Sequence, residues 1–129
     1  MKLVLDTHVL LWWTSDPRQL SRPAVKALRA ADEPTVAAVT WHELAWLAER
    51  GRFVLDRPLR SWLEELGAHV LTAPLTPAVA ATAAALPASF PSDPADRLIY
   101  ATAIETGSRL VTKDRRLREH RHARPVTLW

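Results

Sequence analysis

Four carboxylates stand at places where a folded chain would bring them together. Asp6 ends the apolar run Lys2 to Leu5, and Glu43 follows the apolar run Thr35 to Val39 by a few residues. Asp96 sits in Asp93-Pro94-Ala95-Asp96, and Asp114 comes two residues after the run Arg109 to Thr112. Like charges that converge repel, and a fold keeps them together when a cation lies between them. The chain has no cysteine among its 129 residues and no evident histidine set, so an all-oxygen site for a hard divalent cation is expected, Mg²⁺ or Mn²⁺. Such ions, held on phosphate oxygens, position and deprotonate water and stabilise a leaving oxygen.

Each acid also has a plainer use. Asp6 suits a helix cap, and Glu43 suits the return half of a capping box opened by Thr40. Asp93 is a good N-cap, Asp96 favours the positive end of a helix dipole, and Asp114 suits a turn. His8 and His42 each neighbour an acid; a ligand role is open to either, and a helix-face or packing role is the expected use. The joint placement of the acids carries more than any one of them.

That placement depends on the elements between them. The patterning predicts strands at Lys2 to Leu5, Thr35 to Val39, His69 to Thr72 and Arg109 to Thr112, with a fifth at Val126 to Leu128. Helices are predicted at Val9 to Trp13, from Ser21-Arg22-Pro23 to Ala31, and from Thr40 to Gly51. Three more run from Pro58 to Gly67, from Thr76-Pro77 to near Pro87, and from Asp93-Pro94 to Thr106, where Gly107 stops the helix. Alternation of this kind implies an α/β fold, a central, mostly parallel sheet of four to five strands with helices on both faces. No linker or repeat divides the chain, so one domain over residues 1–129 is expected. Ligands of such sheets bind beyond the carboxyl ends of the strands. Asp6, Glu43 and Asp114 fall at that edge by chain geometry, and Asp96 joins them if its helix starts there.

Composition narrows the partners. Net charge is +3, carried by 14 Arg against 3 Lys, which permits binding to a polyanion. Arg115, Arg116, Arg118, Arg121 and Arg124 crowd the last fifteen residues, either as a solvated tail or as a phosphate-contacting edge. No apolar run approaches a membrane span, and a cytoplasmic chain is expected. Six Trp are present, and the adjacent Trp12 and Trp13 are not expected to face one core from one helix. One of them, with Trp46, is expected at a groove or partner surface, while Trp62 packs.

The segments LDTHVLLWW, TWHELAWLAERGRF, DPADRLIYATAIETGSRLVTKD and the terminal VTLW, in this order and spacing, resemble the PIN-domain family over essentially the whole chain. The resemblance is greatest to its VapC branch, the toxins of bacterial toxin–antitoxin pairs. It puts the family's four acids on Asp6, Glu43, Asp96 and Asp114, as catalytic and metal-holding residues, with Asp93 assisting through water. Thr7 and Thr112 fall where the family often has a hydroxyl near the metal. The resemblance implies a PIN fold, Mg²⁺- or Mn²⁺-dependent cleavage of RNA, a homodimer and inhibition by a cognate antitoxin. Arg97, Lys113, Arg115, Arg116 and Arg118 are then the expected RNA contacts. Two other classes fit less well. An aspartate-nucleophile phosphatase usually has a second Asp two residues after the first, where this chain has His8, and a catalytically silent RNA- or protein-binding module has no need of four acids.

Overall fold

A computed structural model describes residues 1–129. In chain order the elements are β1 (Leu3–Leu5), α1 (Thr7–Ser15), a 3-10 turn (Pro17–Gln19), α2 (Arg22–Ala30), β2 (Thr35–Ala37), α3 (Ala38–Glu49) and α4 (Leu59–Gly67). Then come β3 (Leu71–Ala73), α5 (Pro77–Ala85), α6 (Pro94–Glu105), β4 (Arg109–Val111), α7 (Arg115–Glu119) and β5 (Thr127–Leu128).

The five strands form one sheet in the order β3-β2-β1-β4-β5, and every pairing is parallel. Side chains of a strand alternate between faces. Leu3 and Leu5 accordingly join a core with Val9, Leu10, Leu28 and Leu44, while Val4 joins a second core with Phe90, Ile99, Tyr100, Leu110 and Leu117. Both faces are covered, which explains why β1 is apolar at every position. Burying a side chain such as Ile99 contributes roughly 1.5–3 kcal/mol.

Local signals account for several helix ends. Asp93 caps α6, its carboxylate accepting from the Ala95 and Asp96 amides at 2.8 and 3.3 Å, and Pro94 occupies the first turn. Gly107 follows with φ of 64°, a conformation glycine adopts without steric cost. Ser21 and Thr76 cap α2 and α5 in the same manner as Asp93.

Other boundaries depart from expectation. Helix α3 starts at Ala38, not Thr40, and has no side-chain cap. Thr40 is inside the helix and fully buried, its hydroxyl 3.1 Å from that of Thr7, so it forms no capping box with Glu43. Strand β2 is correspondingly shorter than predicted. The Arg-rich segment after β4 is not simply a solvated tail: Asp114 caps the short helix α7, whose Leu117 is fully buried. Trp12 and Trp13 both pack against the first core, because α1 is lined by the 3-10 turn and α3, and Trp129 covers Trp12 at 6.0 Å. Trp46 is the exposed one, at 45%. No helix is long and apolar enough to cross a membrane.

Candidate active site

The order β3-β2-β1-β4 reverses direction at β1: the chain builds outward on one side and then returns to the other. Such a switch leaves a crevice beyond the carboxyl ends of the strands flanking it. The register pairs Leu5 with Val111, so the residues that follow, Asp6 and Thr112, leave the sheet side by side.

A cleft of about 170 Å³ lies there, lined by Asp6, Thr7, His8, Leu11, Glu43, Leu47, Asp96 and Asp114. All four expected acids line it. Asp96 reaches it because α6 begins at this edge.

Asp6 is buried and firmly held. One carboxylate oxygen accepts from the Thr7 amide at 2.8 Å, capping α1, and the other accepts from the Thr112 hydroxyl at 2.7 Å. Capping and site membership are therefore both true of Asp6. Thr112 is itself fully buried, and its oxygen also accepts from the Asp114 amide at 3.0 Å. A single hydroxyl thus ties the first acid to the last. Thr7, the other hydroxyl expected here, lines the cleft and meets Thr40.

Glu43 lies in the second turn of α3, a consequence of the early helix start. Burial raises its pKa, the charges of Asp6 and Asp93 add to the rise, and the Thr7 hydroxyl opposes it. Asp96 is pushed up to about 7, by burial first and then by Asp93, Asp6 and Asp114, with Arg116 opposing. Asp114 behaves differently: burial would raise it, but hydrogen bonds and charge from Arg116 outweigh burial and hold it low. Asp93 remains exposed, engaged as the cap of α6, and touches the cluster through its charge.

The site is short of positive charge, and Arg116 supplies part of it. Its Nη2 lies 3.0 Å from Asp114 Oδ2 and 3.3 Å from Asp96 Oδ2. The sequence marked Arg116 only as a phosphate contact; its spacing of two residues from a capping Asp was the available signal for this pairing. No three acid or histidine side chains form a preformed metal cage. The donors nonetheless suit a hard cation: all are oxygens, two acids have raised pKa values, and the charge repelling Asp96 comes from the other acids.

His8 has other duties. Its Nε2 accepts from the Lys113 amide at 3.0 Å, its ring packs on Trp12 at 4.8 Å, and its Nδ1 lies 3.6 Å from Asp6 Oδ2; burial lowers its pKa, against the charges of Asp6 and Asp114. His42 is exposed on α3. Lys113 lies over the Trp12 ring, 5.5 Å from its centroid. Arg115 pairs with Glu119 at 2.6 Å, and Arg118 is exposed on α7.

Arg97 corrects an expectation. Its guanidinium donates to five carbonyls, of Ala83, Leu86, Pro87, Phe90 and Pro91, at 2.9–3.4 Å. A planar fork of five donors matches such a cage of carbonyls. Arg97 therefore fastens the segment between α5 and α6 and has no donors left for RNA.

A parallel sheet with four acids at its switch point defines an acidic-site α/β protein, and the family follows from comparison. The sequence profile described as "PIN domain" matches residues 3–123, and the chain belongs to that family. It is 63% identical over 127 residues to "Ribonuclease VapC22" of Mycobacterium tuberculosis, covering 98% of each chain. Among solved structures it is similar to a toxin-antitoxin complex from Klebsiella pneumoniae, with a TM-score of 0.70, 19% identity, and coverage of 99% of this chain and 97% of that one. It is also similar to VapBC2 from Rickettsia felis bound to a DNA fragment from their promoter, with a TM-score of 0.66, 14% identity, and coverage of 88% and 89%. These two likenesses concern the fold.

Proposed function

We propose that this chain is a metal-dependent endoribonuclease, the toxin of a VapBC-type toxin–antitoxin pair, with residues 1–129 acting as one PIN domain in the cytoplasm. The single observation that carries this reading is the convergence of Asp6, Glu43, Asp96 and Asp114 on one cleft at the switch point of the sheet. The 63% identity to a ribonuclease of the VapC branch supports the choice of RNA as substrate.

Asp6, Glu43, Asp96 and Asp114 would hold Mg²⁺ or Mn²⁺, with Asp93 assisting through water. A bound ion supplies a nucleophilic water at neutral pH and charge for the phosphate oxygens. The chain's own residues do the rest. Thr112 fixes the orientation of Asp6 and the start of the Asp114 turn. Glu43 lines the same cleft and would serve as the acceptor of the attacking water's proton. Leu11 and Leu47 line the cleft with apolar surface, which strengthens electrostatic contacts beside it.

Arg116, held between Asp96 and Asp114, would offer its guanidinium to a substrate phosphate once a cation supplied charge to those carboxylates. A cognate antitoxin inhibits by presenting a basic side chain to the same carboxylates. The exposed Trp46 on α3 supports a protein-covered surface there, shared between a homodimer and the antitoxin.

The test is cleavage of RNA by purified protein and growth on induction. Wild type is expected to cut RNA with Mg²⁺ or Mn²⁺ and to arrest growth, and Asp6→Asn to do neither while remaining folded. Co-expression of the product of a neighbouring gene is expected to relieve the arrest and to yield a co-purifying complex. Cleavage by Asp6→Asn at the wild-type rate would overturn the carboxylate mechanism.

A further inference from the structure

A second cleft, larger than the acid cleft, opens beside it. It measures about 670 Å³ and is bounded by Pro87, Ser89 and Pro91 on one wall and Arg116, Glu119, His120 and Arg121 on the other. Arg116 belongs to both places, since it lines this cleft while its Nη2 sits on Asp96 and Asp114. One guanidinium thus stands between the two clefts.

We propose that this cleft is the subsite for the RNA phosphate and ribose that flank the scissile bond, with Arg121 and Arg116 as the phosphate contacts and Ser89 as a hydroxyl donor. The proposal rests on the ribonuclease reading above and names where the strand runs after it leaves the acids.

The charge balance of the cleft favours an anion. Carbonyl oxygens facing it would repel phosphate, but those of Pro87, Phe90 and Pro91 accept from Arg97. That cage also fixes the wall before substrate arrives, so little ordering cost falls on binding. The one acid in the lining, Glu119, is paired with Arg115 at 2.6 Å, which offsets its charge. Arg121 is exposed and has no hydrogen-bond or ion-pair partner, so its guanidinium is free to meet a phosphate in bidentate fashion.

His120 shapes the floor. Its ring stands edge-on to Phe90 at 5.0 Å and to Tyr100 at 5.5 Å, which anchors α7 to the wall segment. The cleft is thus bounded by two fixed elements, and the ligand adapts to it.

The test uses full-length protein in chelator, which permits binding without cleavage, and a fluorescein-labelled oligouridylate of about twelve nucleotides read by anisotropy across a salt series. Loss of one phosphate contact on a single strand lowers the log–log salt slope by about 0.7, which corresponds to about eightfold weaker binding near 50 mM salt. Arg121→Gln is expected to show this loss, and Ser89→Ala a smaller one with an unchanged slope. Arg18→Gln, at the exposed 3-10 turn, serves as the control for net charge and is expected to keep the wild-type slope.

If wild type binds the oligonucleotide and Arg121→Gln binds with the same slope, the subsite assignment is overturned and the ribonuclease reading stands. If Arg121→Gln keeps the slope but loses the co-purifying partner, the cleft takes an acidic protein segment, and the RNA assignment is again overturned. If wild type neither binds nor cuts any RNA, the ribonuclease reading falls and the subsite with it.

Discussion

Replacing Thr112 by Val removes one hydroxyl and little else, since the two side chains have nearly the same shape. The hydroxyl donates to the Asp6 carboxylate at 2.7 Å and accepts from the Asp114 amide at 3.0 Å, in a fully buried position. A hydrogen bond to a charged group contributes about 1.5–3 kcal/mol, and a buried donor left without a partner costs about 1–3 kcal/mol. Asp114 is partly open to water, which can take over its amide, so the second cost lies at the low end. The sum is about 2–4 kcal/mol, a large share of the roughly 5–15 kcal/mol that holds a domain folded. Urea unfolding should therefore show a midpoint lowered by about 1–2 M, given a slope of about 2 kcal/mol/M. Thr112→Ser keeps the hydroxyl and loses a methyl group, so it should fall by only about 1 kcal/mol. Cleavage activity should follow the hydroxyl, dropping at least about tenfold in Val and recovering in Ser, since about 1.4 kcal/mol of lost positioning suffices for that. A Val variant within about 0.5 kcal/mol of wild type, and equally active, would refute the idea that this hydroxyl ties the first acid to the last.

Three further outcomes are expected. Asp96 titrates near 7 in the folded chain and near 3.9 when unfolded, so the folded state holds the proton longer and stability falls as pH rises from about 4 to 7. In chelator, Asp96→Asn lacks this penalty and should gain on wild type at pH 8 relative to pH 5, by at most about 2.6 kcal/mol and by less after relaxation, as measured by paired unfolding curves. Arg97→Lys keeps the charge but offers three donors in place of a fork, so it should cost about 2–4 kcal/mol in thermal unfolding. Excess chelator should abolish RNA cleavage and Mn²⁺ should restore it, while Mn²⁺ should raise the melting temperature of wild type and leave that of Asp6→Asn unmoved.

What could be read from the residues alone follows how local its cause is. The cap, proline and glycine around α6 act within a few positions, so the helix and its end were legible, as was the buried strand before Asp6. The start of α3 was not, because Ala38 opens a helix without a cap and Thr40 turns to Thr7, 33 residues away. Helix α7 is five residues long and sits in a run of arginines, where no apolar period can appear. Asp6, Glu43 and Asp114 were legible from their places after strands and Asp96 from the start of its helix, and the structure gathers the four in one cleft. The arginines were harder, since Arg97 and Arg116 look alike in sequence and differ only in what surrounds them. One is enclosed by carbonyls and the other by carboxylates. Trp12 and Trp13 illustrate the same limit: which faces of a short helix are covered depends on elements elsewhere in the chain.

The hydrogen bond between Thr112 and Asp6 joins residues 106 apart, and β1 finds its β4 neighbour across the same span. Contacts this distant form late, because the intervening loop must close first. During synthesis, β1 waits with one edge open until β4 emerges, and two of the four acids follow or closely precede that event. A growing chain is thus chemically idle until its last portion is made. For an enzyme that would attack the RNA of the cell producing it, the topology sets a delay between the start of translation and the first catalytic turnover.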